Sequence, residues 1–275
     1  MKSFVSSSPV MGFLFSSFWA VLVLVLFLQP AAAQICTFWD SSCVDPVAQT
    51  AVPVDFRPLI IRDISLYYAY DANPRGKGQE PMTKTGFWLS FDNPRVDKSV
   101  ITANRTSEVA LRIGNMTGTP GGDNNGCDGV WGTDCSRDLK RALKHALFHL
   151  SSTGDYYSRP LETILNQMVV SPPTTLTSCP PQLWDVGTIP VEIFAQETIP
   201  DQEATLYSSG STDDPLKTWY IDNMTAHEQA QQVAVAILSR APSYDSEPPD
   251  SQEDIQIELA CVQAPSGGSS ATSNS

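Results

Sequence analysis

The chain is short of positive charge. Its 275 residues include 17 lysines and arginines against 30 aspartates and glutamates, a formal net charge of −13 at pH 7. A surface with that balance repels a phosphate backbone, so nucleic acid is excluded as a partner. Histidine is scarce too, with only His145, His149 and His227. The first two are four residues apart, a spacing zinc can use on a helix. His145, however, falls beside Lys144 and Arg141 on the polar side of that helix, and His227-Glu228 lacks the second histidine of a metalloprotease motif. The three read as surface and boundary residues, and no metal or cofactor is assigned. The nucleophile elbow Gly-x-Ser-x-Gly is missing. No long apolar run follows Leu28, so nothing later in the sequence is suited to span a bilayer.

What is present begins at the N-terminus. Lys2 precedes an uncharged run from Val10 to Leu28, closed by Pro30 and Ala31-Ala32-Ala33. A basic start, an apolar middle and small residues at the cut make a secretory signal peptide over 1–33, cleaved after Ala33. The alternative is an uncleaved signal anchor, because the run is long for a signal core. Residues 34–263 then form a single secreted domain. The stretch 264–275, rich in Ser and Gly, is a disordered tail without the hydrophobic end of a lipid-anchor signal.

Export gives meaning to the six cysteines, Cys36, Cys43, Cys127, Cys135, Cys179 and Cys261. In an oxidising compartment an even set is expected to pair. The expected scheme is Cys36–Cys43 and Cys127–Cys135, each closing a short turn-rich loop, with Cys179–Cys261 by elimination. Three sequons begin at Asn104, Asn115 and Asn223. A glycan is bulky and needs water, so all three asparagines are expected to be exposed.

Period-two patterning marks strands at Ile64–Tyr70, Phe87–Phe91, Val109–Ile113, Val191–Ala195 and Ile255–Cys261, with a further one at Leu216–Ile221. The connections in the first half are too short for helical crossovers, so the sheet is antiparallel. A helix is expected over Arg137–Leu150 with Ser136 as N-cap and an apolar stripe through Leu139, Leu143 and Leu147. A second runs from Pro160 to about Met168. A third opens at the capping box Thr225-Ala-His-Glu228 and runs to about Ser239, with Val233, Ala234 and Ile237 on one face. The fold class is α+β: a mainly antiparallel, sandwich-like sheet packed with two or three helices and stapled by disulfides.

Two short cysteine-flanked loops stand out as candidate ligand contacts. Cys36–Cys43 holds Trp39 beside Asp40, and Cys127–Cys135 holds Trp131 near Asp128 and Asp134. A rigid loop presenting an aromatic plate beside acidic acceptors suits sugar or peptide binding. The competing reading folds each tryptophan back over the core. The segment Asp123–Asp134 also offers Asp123, Asn125, Asp128 and Asp134 as hard oxygen donors for calcium, though it fails the EF-hand pattern, with Asp128 where that loop needs glycine. Asp71 and Asp92, at strand ends, are the carboxylates a hydrolase could pair.

The run Gly114-Asn-Met-Thr-Gly-Thr-Pro120 through Cys127-Asp-Gly-Val-Trp-Gly-Thr-Asp-Cys135 resembles uncharacterised secreted glycoproteins of filamentous fungi. The resemblance implies an extracellular or cell-wall setting and carries no active site. The expected function is therefore a non-catalytic secreted glycoprotein that binds carbohydrate or an extracellular protein surface. The rivals are a hydrolase using an Asp/Glu pair and a calcium-dependent binding module.

Overall fold

The computed structural model describes residues 36–56, 64–91, 99, 101–152, 157–199, 201–207 and 209–265. The signal segment, Asp92 and the tail beyond 265 lie outside the described residues. Within them, nine strands form two antiparallel sheets. The first sheet has the order β1-β2-β3-β7, from β1 (Ala48–Val54), β2 (Ile64–Asn73), β3 (Met82–Phe91) and β7 (Lys217–Asp222). The second has the order β6-β5-β4-β8-β9, from β4 (Arg105–Arg112), β5 (Val191–Thr198), β6 (Glu203–Leu206), β8 (Ala234–Pro242) and β9 (Gln256–Val262).

The sheets pack face to face. Leu66, Tyr68, Tyr70, Phe87 and Leu89 of the first meet Val109, Leu111, Ala236 and Leu238 of the second in one buried cluster. Alternation along β4 and β8 sends Ala110, Val235 and Ile237 to the opposite face, where they join a second core with the helices. The layers are therefore sheet, sheet, helices, and the α+β expectation holds. Each fully buried Leu or Phe in these cores is worth about 1.5–3 kcal/mol of transfer free energy.

The helical layer is α1 (Asp128–Trp131), α2 (Thr133–Ser152) and α3 (Pro160–Val170). α2 buries Cys135, Leu139, Leu143, Leu147 and Ser151, a straight i, i+4 stripe. It starts earlier than the sequence predicts, and Ser136 is not its cap. Ser136 is buried inside the first turn, where its hydroxyl accepts the Trp131 indole N–H at 2.8 Å.

The third predicted helix is mostly strand. The capping box is real: the Thr225 hydroxyl accepts from the Glu228 N–H and the Glu228 carboxylate from the Thr225 N–H. But α4 spans only Ala226–Gln231 and gives way to β8, buried along its whole length. Val233, Ala234 and Ile237 belong to that strand region. A strand covered on both faces carries near-continuous apolar runs, here Ala234–Leu238, so its period of two disappears and a helical reading becomes equally available. α4 closes one end of the sandwich. Its buried Gln229 donates to the Tyr68 hydroxyl at 2.5 Å and accepts from Thr83 Oγ1 at 3.2 Å.

β5 also departs from simple alternation. The register on β4 shifts between Ser107 and Glu108, a bulge that turns both Phe194 and Ala195 toward the inter-sheet core while Val191 stays on the helix side.

Of the expected disulfides, Cys36–Cys43 forms, and the other two pairings are corrected. Cys127 bonds Cys261 and Cys135 bonds Cys179, with Cα–Cα distances of 4.8 and 4.7 Å. Cys127 and Cys135 are close in sequence, but α1 lies between them. The stretch before α1 docks on the end of β9, where the Cys261 N–H donates to Asn125 O and the Asn125 amide to Leu259 O. Cys135 instead faces the extended segment that follows α3. No cysteine among the described residues is free.

Candidate binding surfaces

The outer face of the first sheet is built around a lysine. β2 and β3 align Asp71 with Lys84, Ala69 with Gly86 and Tyr67 with Trp88, all pointing away from the sandwich core. Tyr67 and Trp88 stack at 5.3 Å, and Val44 packs with Trp88 and Ala69. Gly86 is the position that allows this: a Cβ there would sit 2.5 Å from a Val44 methyl. The segment 36–44 can thus lie flat across β3.

Lys84, fully buried, rises from β3 into the disulfide loop. Its ammonium donates to the carbonyls of Thr37 at 3.0 Å and Asp40 at 3.2 Å, and sits 5.7 Å from the Phe38 ring centroid. Burial pulls its pKa down, while Asp71, Asp40 and Asp45 pull it back up. Asp71 is pushed up by burial, with the Ala72 N–H and Lys84 opposing. β7 holds the loop from the other side: Thr218 Oγ1 donates to Ser41 O at 2.8 Å and the Tyr220 hydroxyl to Phe38 O at 3.1 Å.

On this base Trp39 lies stacked on Tyr220, centroids 6.1 Å apart and planes at 21°, with Phe38 edge-on at 4.9 Å. Trp39 is 47 % exposed, and Lys77 Nζ stands 5.7 Å from its ring. Asp40 accepts from the Ser42 hydroxyl and N–H, which hold its carboxyl below the usual range. Chemically this is an exposed aromatic plate with flanking charges of both signs, fixed to a rigid sheet.

Trp131 does the opposite. It packs on the helix-side core with its N–H spent on Ser136. Asp128 is spent as well, accepting from the Asn124 amide and Thr133 Oγ1. The two loops therefore lie on opposite sides of the sandwich and do not converge. Sequence reasoning missed Tyr220, Phe38 and Lys84. Tyr220 lay on a predicted strand and Phe38 within the disulfide loop, Lys84 fell before the predicted strand Phe87–Phe91, and nothing in one sequence aligns β3 with β7.

Of the calcium candidates, Asn125 bonds the β9 backbone, Asp128 holds Asn124 and Thr133, and Asp134 pairs with Arg137 at 2.7 Å. Asn124, Asn125 and Gly126 adopt successive positive φ angles of 53°, 49° and 89°, which explains the Asn-Gly composition as turn chemistry. Among the described residues no group of three His, Cys, Asp or Glu could hold a metal ion. His145, His149 and His227 are exposed.

The sequons differ. Asn115 and Asn223 are exposed. Asn104 is not: it is 7 % exposed, donates to Asp245 O at 2.9 Å and accepts from the Ile199 N–H at 2.7 Å, so the exposure expected of it fails. The Asn115 amide donates to Asp185 O at 3.0 Å and its oxygen accepts from Arg112, whose pKa burial pushes down to about 10.

Among the described carboxyl groups the most perturbed is Glu108, pushed up to about 7 by burial against the pull of its hydrogen bonds. It accepts from the N–H groups of Leu161 at 2.7 Å and Glu162 at 3.3 Å, capping the N-terminus of α3. Both oxygens are thereby committed to the helix. No protein-family model, curated protein or solved structure matches the chain.

Proposed function

We propose that the protein is a secreted extracellular or cell-wall glycoprotein that acts by binding, and that the Trp39–Tyr220 plate is its contact surface. The observation that carries this reading is an exposed indole on a base that cannot yield. Disulfide Cys36–Cys43, the Lys84 ammonium and two hydroxyl bonds from β7 all hold the loop from beneath. Pre-ordering the plate lowers the entropy lost on contact, which is where rigid aromatic anchors gain affinity. A pyranose face or an extended segment of an extracellular protein suits such a plate.

Three disulfides support an oxidising compartment, and no described helix is long and apolar enough to cross a membrane. The fungal resemblance of residues 114–135 points to the same setting.

The test compares the two tryptophans. In retention on insoluble cell-wall polysaccharide, Trp39→Ala is expected to weaken binding about tenfold with an unchanged melting temperature. Trp131→Ala is expected to keep binding and lower the melting temperature. Retention unaffected by Trp39→Ala removes the plate from the function.

A further inference from the structure

A second surface is built with more buried polar chemistry than the plate. In the helical layer a cleft of about 560 Å³ lies among α2, the end of α3 and residues 173–176, but its charges are already neutralised at the surface: Arg141 and Arg137 both reach Asp138. A cleft at the edge of the second sheet differs. It has a volume of about 270 Å³ and opens where β4 begins and β5 and β8 end.

Its walls are held by a buried side chain. Asn104 accepts from the Ile199 N–H after β5 and donates to the Asp245 carbonyl after β8, so one amide sets the separation of the two loops. Arg105, 8 % exposed, donates from one terminal nitrogen to Asn104 O at 2.9 Å and Ser246 Oγ at 2.6 Å. Under it, Arg240 grips Glu197 through two bonds of 2.6 and 2.8 Å, diagonally across β4. Buried ion pairs are poor sources of stability, because apolar residues of the same volume do as well or better. Arg105 and Glu197 line the cleft, with Arg240 held on Glu197 behind it, which puts the pair where it can serve recognition.

The lining carries one aromatic residue, and a second is bonded to the wall. Tyr244, 70 % exposed, lines the mouth. Tyr207 donates its hydroxyl to Gln196 of the wall at 3.2 Å, and Tyr157 precedes Ser158 of the wall. These are the three exposed tyrosines among the described residues, at 70, 43 and 38 %. Tyr244 on the mouth and Tyr207 bonded to its wall place aromatic surface where an ordinary solvated edge needs none.

We propose that this cleft is a saccharide site, distinct from the Trp39 plate, taking one end of a neutral oligosaccharide. The Tyr244 face packs on the apolar side of a pyranose, and Gln196, Thr198 and Ser243 of the walls exchange hydrogen bonds with its hydroxyls. Two arginines, Arg105 and Arg240, are matched by two acids, Glu197 and Asp245, so the site has no net charge to attract a uronate or sulfate. The volume is below the roughly 300–1,000 Å³ of sites for drug-sized ligands, which suits one terminal sugar with the rest of the chain in solvent. The burial of Asn104 follows from the same design, because a glycan on its amide would break the wall and fill the cleft.

The experiment uses the full secreted chain carrying Trp39→Ala, so the plate contributes nothing, and soluble gluco-, manno- and chito-oligosaccharides with oligogalacturonate as contrast. Calorimetry is expected to find a neutral oligosaccharide that binds, and added Tyr244→Ala to weaken it about tenfold or more. Tyr244 is exposed, so the melting temperature should stay put. The proposal is overturned if no neutral oligosaccharide binds, if oligogalacturonate binds better, or if Tyr244→Ala and Tyr207→Ala both leave affinity unchanged. Wall retention lost with Trp39→Ala while the cleft stays silent keeps the plate and removes the cleft.

Discussion

Trp39 and Trp131 start from a similar local recipe: a tryptophan within three residues of an aspartate and within a few residues of a cysteine. They end in opposite states. Trp39 rests on the outside of the first sheet with half its surface in water, while Trp131 packs on the helix-side core with its N–H bonded to Ser136. The difference lies in what each disulfide encloses. Cys36–Cys43 closes its own loop, so the loop remains a surface feature and must be anchored from below by Lys84. Cys127 and Cys135 pair outward, to Cys261 and Cys179, and so pull the segment carrying Trp131 down onto β9 and α2. A short spacing between cysteines does not by itself make a presented loop.

The strongest way to break that contrast is to cut the covalent ties on each side. Chain entropy assigns about 5 kcal/mol to a closed loop of 134 residues and about 2.4 kcal/mol to one of 7. Replacing Cys127 and Cys261 together by alanine should therefore cost about twice as much as replacing Cys36 and Cys43. Urea unfolding of the two double variants compares them directly. Equal losses would mean that the N-terminal loop is as integral to the fold as the helix side.

The next largest effect concerns the helix side alone. Glu108 is pushed up to about 7 from an ordinary 4.5, so the folded state holds its proton more tightly than the unfolded chain. Its contribution is complete below about pH 4.5 and is lost as pH rises toward about 7. The size is about 3 kcal/mol by linkage at 1.36 kcal/mol per pH unit. Groups facing it are Arg159, which opposes the rise, and Glu162, which adds to it. Glu108→Gln keeps an acceptor for the Leu161 N–H and should flatten the fall in melting temperature between pH 5 and 7. A fall of the same size in the variant would assign it to other groups.

The smallest effect sharpens the plate side. Lys84→Met keeps the apolar stem and removes the ammonium that holds Thr37 and Asp40. The expected global loss is about 1–2 kcal/mol, since the desolvation cost of a buried cation disappears with it. The local effect should be larger: amide exchange within 36–43 accelerates while β3 stays protected. Unchanged exchange in that loop would show the disulfide alone suffices.

Much of the first sheet was legible because each strand has one face toward the core and one toward solvent or the loop. Ile64–Tyr70 alternates visibly for that reason. β8 was not legible: Ala234–Pro242 is buried on both faces, so period two vanished and the true capping box at Thr225 lent its helix too much length. β5 kept its place but not its parity, because the bulge beside Ser107 turns Phe194 and Ala195 to the same side. Of the plate, the sequence offered only Trp39 and Asp40. Tyr220 and Lys84, which make the plate rigid, lie 181 and 45 residues from Trp39 (220 − 39 and 84 − 39) and meet it only through strand pairing.

By itself, the sequence determined the class of the molecule. An acidic, cysteine-even, turn-rich chain with alternating aromatic strands and one strong amphipathic helix has to bury its stripes in an antiparallel α+β packing. Periodicity and composition are local, and local patterns carry that much. Tertiary structure alone decided which cysteines meet, which tryptophan faces water, and that Asn104 is buried between the loops after β5 and β8. Each of these depends on register between strands far apart in the chain. Register is set by the summed burial of two cores rather than by any short run of residues.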